Sequence, residues 1–480
     1  MNLRRVLHIL GLVLFILAGA QLLPLVWCLS GTESRAVAGF LSGAALCGLL
    51  GLAFRQLGSS EGGLYRREGV LLVVGAWVLA SLTGAVPYLV SGVIPSASSA
   101  LFESASGFTT TGATVLVDIE GAGRPILFWR SFTQWLGGIG IVVLFVALLS
   151  ELGPGARFLF KLEVPGPKAE VLHARVQDTA LALARIYAVL TLAEVLLLLL
   201  AGLGMFDALT HTFSTVSTGG FSPHSGSIGF FSPLVRAIVL VFMLAAGVNF
   251  ALYFSAIRHR NLEMLRDVEF RLYIALLVVA AVAVALDLIG AGHSPLPAAL
   301  LDAAFQVVSI LTTTGFSTVD FSEWPALARS ILVALMIVGG CAGSTAGGVK
   351  IVRAIIAWKA AMREVRLIFS PNSVVAIVVG REAVPEASVR SVVGLVVLWV
   401  VGWGVGTVLL AIGEVRLVTA ATASLATLSN VGPGLASVGP QGHFGFFAPW
   451  QKLVMVLLMW LGRLEFFALL ALFLPRFWRR

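Results

Sequence analysis

The chain has 480 residues, of which 58% are hydrophobic and only 12% are charged. A soluble globular domain carries about 25% charged residues, so this composition excludes an ordinary soluble protein and indicates that lipid is the solvent. The formal net charge of +8 is spread along the chain, and basic residues dispersed in this way are not a nucleic-acid signal.

Ten apolar stretches are predicted to span a membrane, since each is long enough for the roughly 20 helical residues that cross a bilayer. In chain order they cover residues 6–28, 36–55, 69–92, 126–150, 179–203, 232–257, 270–290, 325–362, 389–413 and 449–474. The first is predicted to be a spanning helix rather than a signal peptide, because it is long and lacks a small-residue cleavage site nearby. Lys and Arg cluster in alternate loops, which predicts that both termini are cytoplasmic.

Four segments between these spans share one pattern. Each is a short, moderately apolar helix that ends in small hydroxyl or amide residues followed by a glycine, and the segments align on Gly112, Gly219, Gly315 and Gly432. The span after each segment opens with proline, which suits the first turn of a helix. A basic residue follows that proline in every case: Arg130, Arg236, Arg329 and Lys452. The first two spans have no such segment and stand outside the repeat.

The four segments are predicted to meet at one axis and line a cation pathway. Non-helical backbone at membrane depth must be buried in protein or line a watery cavity. Stacked backbone carbonyls there can replace the hydration shell of a monovalent cation, and glycine permits the necessary backbone angles. The segments contain no carboxylate of the kind that calcium and magnesium sites use. The alternative for any one segment is close helix packing through small residues.

Three acidic residues lie in or near the short helices. Asp207 and Asp302 are near the starts of the second and third, where a negative charge is favourable, and Glu103 is within the first. Ion coordination is one interpretation of these carboxylates. Local capping and pairing with the basic residues of the following spans is the other.

The sequence resembles the TrkH branch of the Trk/Ktr/HKT superfamily of potassium transporters over essentially its whole length. The resemblance rests on the motifs Gly107-Phe-Thr-Thr-Thr-Gly-Ala-Thr, Trp129-Arg-Ser-Phe-Thr-Gln-Trp-Leu-Gly-Gly-Ile-Gly, Ser217-Thr-Gly-Gly-Phe-Ser, Thr312-Thr-Thr-Gly-Phe, Gly343-Ser-Thr-Ala-Gly-Gly-Val-Lys and Asn430-Val-Gly-Pro-Gly. It implies an all-α polytopic membrane protein with four M1–P–M2 pore repeats around one pseudo-fourfold axis and two extra N-terminal helices. It also implies a homodimer and a cytosolic nucleotide-binding regulatory subunit of the TrkA type.

This resemblance divides the chain into six parts. The two extra helices cover residues 1–60, a cytoplasmic hairpin insert covers 369–388, and the four pore repeats cover 61–160, 161–262, 263–368 and 389–480. The resemblance implies that the potassium ligands are backbone oxygens around Thr110, Thr111, Gly112, Ser217, Thr218, Gly219, Thr313, Thr314, Gly315, Asn430, Val431 and Gly432. Relatives that favour sodium typically have serine at one of the glycines, so four glycines favour potassium. The fourth segment departs from the Thr-rich pattern, which implies a less symmetric filter.

The stretch 325–362 is too long for one span and contains five glycines within residues 339–348. Each glycine costs about 1 kcal/mol against alanine inside a helix, so several together predict an unwound segment. The resemblance implies that this segment is an intramembrane gate, and a merely flexible helix joint is the alternative. The predicted gate residues are Gly339, Gly340, Gly343, Ser344, Thr345, Gly347, Gly348 and Lys350.

Arg463 is a charge predicted to lie in mid-span, where charges usually face a cavity or a partner. An ion pair with Glu465 is one interpretation, and an electrostatic barrier on the permeation path beside the Gly-rich segment is the other. Asn249 is a second polar residue of the membrane interior, with a helix-to-helix hydrogen bond as its expected role.

These features together predict potassium uptake across the bacterial inner membrane, with potassium as substrate and no cofactor. A sodium- or proton-coupled potassium symporter and a weakly selective cation channel are the alternatives. The seven histidines have no metal-binding spacing and no Ser/His/Asp set stands out, so an enzyme is not expected.

Overall fold

The computed structural model describes residues 1–28, 34–62, 64–149, 176–259, 263–380 and 382–478. The predicted ends of the first and second pore repeats, at residues 160 and 262, lie outside these ranges. Helices dominate, and labels below follow chain order. Short 3-10 segments are Leu23–Cys28, Glu120–Ala122, Ser227–Phe230, Glu263–Arg266, Phe321–Glu323 and Ala436–Val438.

Two N-terminal helices, α1 (Leu3–Leu22) and α2 (Ser34–Leu57), pack closely on each other. A Cβ on Gly11 would lie 2.8 Å from the carbonyl oxygen of Gly51, so small residues let the two backbones approach. Helix α1 also contacts the first helix of the first pore repeat, which attaches the pair to the side of the pore domain.

Each pore repeat consists of an M1 helix, a short pore helix and an M2 helix, as the fold class predicts. The M1 helices are α3 (Arg66–Gly84, extended by α4, Val86–Ser91), α7 (Val176–Leu200), α11 (Val268–Gly290) and α15 (Glu386–Ala411). The pore helices are α5 (Ala97–Phe108), α8 (Met205–Val216), α12 (Leu296–Leu311) and α16 (Leu417–Leu428).

The M2 helices differ from one repeat to the next. In chain order they are α6 (Arg124–Leu149), α9 (Pro233–Ala246) with α10 (Phe250–His259), α13 (Ala326–Val338) with α14 (Ile351–Phe369), and α17 (Pro449–Leu464) with α18 (Phe466–Phe473). The final helix is α19 (Pro475–Trp478). The predicted interruption of 325–362 is confirmed, because no helix joins Val338 to Ile351.

The prediction of uninterrupted spans at 232–257 and 449–474 is wrong. The first bends by 87° after Ala246 and the second by 119° at Glu465, whose φ is +61°. Asn249 lies in the first break, and the side-chain hydrogen bond found for it among the described residues is local rather than helix-to-helix: its Oδ1 accepts from the backbone N–H of Ala251, 2.9 Å away, at the start of α10. By length and composition six of the described helices can cross a membrane, or eight if each bent pair is one span.

Hydroxyl side chains at the ends of three pore helices bond back to the helix itself. Thr109, Ser217 and Thr312 donate to the carbonyl oxygens four residues earlier, at 2.6–2.7 Å. A buried hydroxyl without a partner is costly, and this bond to the preceding turn removes the cost without another element.

A small hairpin lies between α14 and α15. Strand β1 (Val378–Val379) pairs antiparallel with β2 (Glu382–Ala383), beside Gly380 with φ of +66°. Arg363 of α14 donates to Glu386 at the start of α15, at 2.7 Å, and ties the two helices together next to the hairpin.

Candidate ion pathway

One unusual backbone conformation occurs at the end of every pore helix. A non-glycine residue there has positive φ, which such residues adopt rarely, and a glycine with positive φ follows two positions later. The non-glycine residues, with φ of 54–56°, are Thr110, Thr218, Thr313 and Asn430. The glycines, with φ of 78–99°, are Gly112, Gly220, Gly315 and Gly432. The same three-residue backbone conformation therefore occurs four times, and we call each copy a filter strand: residues 110–112, 218–220, 313–315 and 430–432.

The second filter strand begins one residue later than the sequence alignment assumed. Gly220, not Gly219, has the positive φ that matches Gly112, and Gly219 occupies the position of Thr111. The triplet equivalent to Thr110-Thr111-Gly112 is therefore 218–220, and Ser217 belongs to the preceding turn. Two adjacent glycines in this repeat make the alternatives indistinguishable by residue type, and only the backbone angles separate them.

The filter strands contact each other in a closed ring. A Cβ added to Gly112 would overlap the carbonyl oxygen of the second strand, and each following glycine faces the next strand in the same way. The facing pairs are Gly112 with Gly219, Gly220 with Thr314, Gly315 with Val431, and Gly432 with Thr111. The fourth strand thus closes onto the first, which requires all four to surround one axis. Any side chain at these glycines would meet a backbone oxygen.

The amide groups of the strands are satisfied within each repeat. The backbone N–H groups of Thr111, Gly219, Thr314 and Val431 each donate to the carbonyl five residues earlier, at 2.8–2.9 Å. Main-chain carbonyls have two lone pairs, so they are the polar atoms that remain for an ion at the axis.

Gln134 of α6 braces the second strand and was not singled out in the sequence as a site residue. Its Nε2 donates to the carbonyl oxygen of Gly219 at 2.7 Å, and its Oε1 accepts from the N–H of Phe221 at 3.1 Å. The sequence does contain a signal for this role, because a glutamine within an apolar M2 helix needs hydrogen-bond partners when it is buried.

Glu103 forms a buried ion pair behind the first two strands. Its carboxylate lies 2.8 Å from Nε of Arg130, with exposed side-chain fractions of 0% and 2%. Thr114 and Val115, just after the first strand, donate to the same carboxylate at 2.8–2.9 Å. Arg130 also lies over the ring of Phe221 in the second strand, 4.1 Å from its centre. Of the two interpretations of Glu103, this geometry matches local pairing.

The other acidic residues also contact protein groups. Asp207 Oδ1 lies 3.0 Å from Nε2 of His224, and Asp302 accepts from Thr318 at 3.1 Å. Glu120 joins the loops of the first two repeats by accepting from the N–H and hydroxyl of Ser225. Desolvation acts to raise the pKa of Glu120, but the hydrogen bonds from Ser225 outweigh it and the pKa lies below the usual value.

The Gly-rich loop, residues 339–350, lies directly against the filter strands. The N–H of Gly347 donates to the hydroxyl of Thr313 at 2.6 Å, and the N–H of Gly348 donates to the carbonyl of Ser429 at 3.0 Å. Thr345 donates to the carbonyl of Val216 at the end of the second pore helix, at 3.1 Å. The loop therefore contacts the second, third and fourth repeats.

Arg463 of α17 also contacts this loop. Its Nη1 donates to the carbonyl of Thr345 at 2.8 Å and its Nη2 to the carbonyl of Gly137 at 3.3 Å. Glu465 is one of the two interpretations that the sequence offers for Arg463, as its ion-pair partner. In the structure Glu465 forms an ion pair with Arg353 of α14. The arginine thus brings a positive charge to the loop and links it to the first repeat.

Four re-entrant pore helices, with filter strands that close into one ring, define a multi-pass membrane protein of the four-repeat pore class. Residues 40–480 match the family model TrkH, described as a cation transport protein. The chain belongs to the TrkH family, as the sequence motifs predicted. The prediction of a transporter rather than an enzyme is confirmed by this membership.

Individual relatives agree over their full length. The chain is 38% identical over 489 residues to the Trk system potassium uptake protein TrkH of Salmonella typhimurium, with 100% of both chains covered. It is 32% identical to TrkG of Escherichia coli, covering 100% of this chain and 99% of TrkG. The crystal structure of the potassium transporter TrkH from Vibrio parahaemolyticus is similar with a TM-score of 0.88 and 35% identity, each chain covered to 100%.

Proposed function

We propose that this protein mediates potassium uptake through the ring of filter strands. The ring itself is the observation that carries the proposal: four backbone segments meet at one axis and offer carbonyl oxygens without carboxylates. Such a site suits a bare monovalent cation. The names of the full-length relatives, which are potassium uptake proteins, support potassium as that cation.

The proposed ion ligands are the backbone oxygens of the four filter triplets. In the corrected register these are Thr110, Thr111, Gly112, Thr218, Gly219, Gly220, Thr313, Thr314, Gly315, Asn430, Val431 and Gly432. Glycine at the last position of all four triplets supports potassium over sodium. Asn430 and Val431 make the fourth strand chemically different, which supports a filter of lower symmetry than four identical chains would have.

The proposed gate is the Gly-rich loop with Arg463. The contacts of Gly347 with the third filter strand and of Gly348 with Ser429, just before the fourth, support this role, because a segment at that place obstructs an ion leaving the filter. The guanidinium of Arg463 beside Thr345 adds a positive charge, which repels a cation on the same path. Conduction then requires that the loop move.

The proposed setting is the bacterial inner membrane with both termini in the cytoplasm. The distribution of Lys and Arg supports this orientation. A homodimer and a cytosolic nucleotide-binding subunit of the TrkA type are the proposed partners, supported by family membership and by the word system in the names of the relatives. Control by a nucleotide would then come from the partner.

Rubidium flux into liposomes that contain the purified protein tests the proposal. We expect uptake to be suppressed by unlabelled potassium far more than by equal sodium. Liposomes with the Gly220→Ala variant serve as the matched control, because this change is confined to one filter strand. Equal suppression by potassium and sodium would contradict potassium selectivity and favour a weakly selective cation pathway. Absence of flux above protein-free liposomes would contradict the pore.

A further inference from the structure

Glu269 is a partly buried carboxylate at the start of an M1 helix, and the transport proposal gives it no role. It lies in the first turn of α11, the M1 helix of the third repeat. The preceding Asp267 caps this helix by accepting from the N–H of Phe270 at 3.0 Å, so the helix start is fixed without Glu269. The side chain of Glu269 is therefore available for contacts outside its own helix.

The carboxylate of Glu269 contacts both ends of the Gly-rich loop through a single oxygen. Its Oε1 accepts from the N–H of Ala342 at 2.8 Å and from the N–H of Val352 at 3.1 Å. Ala342 precedes the middle of the loop, and Val352 is in the first turn of α14, just after the loop ends. Both donors are backbone N–H groups, and a buried N–H group needs an acceptor.

Further contacts hold the same region but involve neutral backbone groups. The N–H of Cys341 donates to the carbonyl of Gly247 at 3.1 Å, and the N–H of Phe250 donates to the carbonyl of Gly343 at 3.0 Å. Glu269 differs from these contacts because a single side-chain oxygen on an M1 helix accepts two hydrogen bonds, one from the loop and one from α14.

The charges around Glu269 come from several elements. Asp267 shares its helix. The loop and α14 carry Lys350, whose Nζ donates to the carbonyl of Ala346, and Arg353, which is paired with Glu465. The hydrogen bonds from Ala342 and Val352 fix the position of the carboxyl group among these charges.

We propose that Glu269 is a latch that keeps the Gly-rich loop against the filter strands. A loop that leaves this position must break the bond from Ala342, while the bond from Val352 holds the carboxyl group at the start of α14. The expected effect on flux depends on the proposed role of the loop as gate. The restraint of the loop by Glu269 does not depend on it. The restraint on loop position can be tested separately.

Cys341 provides the separate test, because its buried thiol is adjacent to Ala342. In a Cys28→Ser, Cys47→Ser background, the rate of Cys341 modification by a small methanethiosulfonate reports how often the loop leaves its place. We expect Glu269→Ala to raise this rate by up to about tenfold, the factor that matches one lost hydrogen bond of about 1.4 kcal/mol. Glu269→Gln retains a side-chain oxygen acceptor and should raise the rate less. Glu364→Ala, an exposed carboxylate of α14, should leave it unchanged.

Rubidium flux measured on the same proteoliposomes separates the two proposals. Faster modification with higher flux supports both the latch and the gate. Faster modification with unchanged flux supports the latch and contradicts the gate. An unchanged modification rate in Glu269→Ala contradicts the latch whatever the flux does, provided that size-exclusion chromatography shows an intact protein. A Gln variant as fast as the Ala variant would also contradict it.

Discussion

The filter strands have the same backbone conformation in all four repeats, whereas the M2 helices differ from one repeat to the next. Each filter strand repeats one backbone conformation, with φ of 54–56° at its start, although the residues include threonine and asparagine. Each M2 helix has a proline in or just before its first turn, but one is continuous as far as Leu149, two bend sharply and one is interrupted by the Gly-rich loop. The filter strands, which surround the axis, therefore share a fourfold backbone symmetry that the M2 helices do not share.

The difference follows from what each part must do in the proposed function. Carbonyls that replace the hydration shell of one ion must surround it evenly. A gate needs only one segment that moves, and three further copies of a glycine-rich loop would each weaken the helix in which they lie. Breaking the symmetry of the first part and the special contacts of the second should therefore have opposite effects on flux.

The largest effect is expected from the buried pair behind the filter. Glu103→Gln leaves Arg130 buried without its carboxylate, and removal of one partner of a buried ion pair costs about 3–5 kcal/mol. We expect a clear fall in the thermal unfolding midpoint in detergent together with loss of rubidium flux. The double variant Glu103→Leu with Arg130→Leu is the control and should recover part of the lost stability. Single and double variants of equal, unchanged stability would show that the pair does not support the filter.

The second effect separates two neighbouring glycines. Gly220→Ala should reduce potassium flux at least about tenfold, because positive φ costs a non-glycine residue about 1–2 kcal/mol and the Cβ would also meet the carbonyl of Thr314. Gly219→Ala is the matched control. Its φ lies outside the left-handed region and its Cβ would meet the side chain of Gln134 rather than a backbone carbonyl, so the loss of flux should be smaller. The reverse ranking would contradict the register in which Gly220 matches Gly112.

This register shows where sequence analysis reaches its limit. The four filter strands and the glycines of the first, third and fourth were predictable from repeated residue types, and the interrupted third M2 helix was predictable from its clustered glycines. The position of Gly219 was not, since residue type alone does not reveal which of two glycines has positive φ. The bend at Glu465 was also missed, because its flanks are as apolar as any span and the backbone angle belongs to a residue that normally avoids it.

The third effect acts on the asymmetric part and has the opposite sign. Arg463→Ala removes the hydrogen bond to Thr345 and a positive charge beside the loop. We expect rubidium flux to rise several-fold, as loss of one hydrogen bond worth about 1 kcal/mol allows. Arg463→Lys keeps the charge without the planar donor pair and should give a smaller rise. Unchanged flux in a stable Arg463→Ala protein would contradict the barrier.

The smallest effect concerns the chemical difference of the fourth filter strand. Asn430 has the same φ as the three threonines, but its Nδ2 donates to the hydroxyl of Thr111 at 2.9 Å and to the carbonyl of Met459 at 3.1 Å. Asn430→Thr restores the residue type of the other strands and removes both bonds. We expect the preference for potassium over sodium in flux competition to change by no more than about fivefold, the equivalent of one neutral hydrogen bond.

The direction of that change decides what the asparagine does. A higher preference for potassium in Asn430→Thr would mean that symmetry of the strands limits selectivity and that the asparagine lowers it. A lower preference would mean that the bond to Thr111 holds the first and fourth strands at the correct separation. Asn430→Asp is the control for the second case, because it keeps the size of the side chain but cannot donate when ionised. If both variants keep the wild-type preference, the difference of the fourth strand has no part in selectivity.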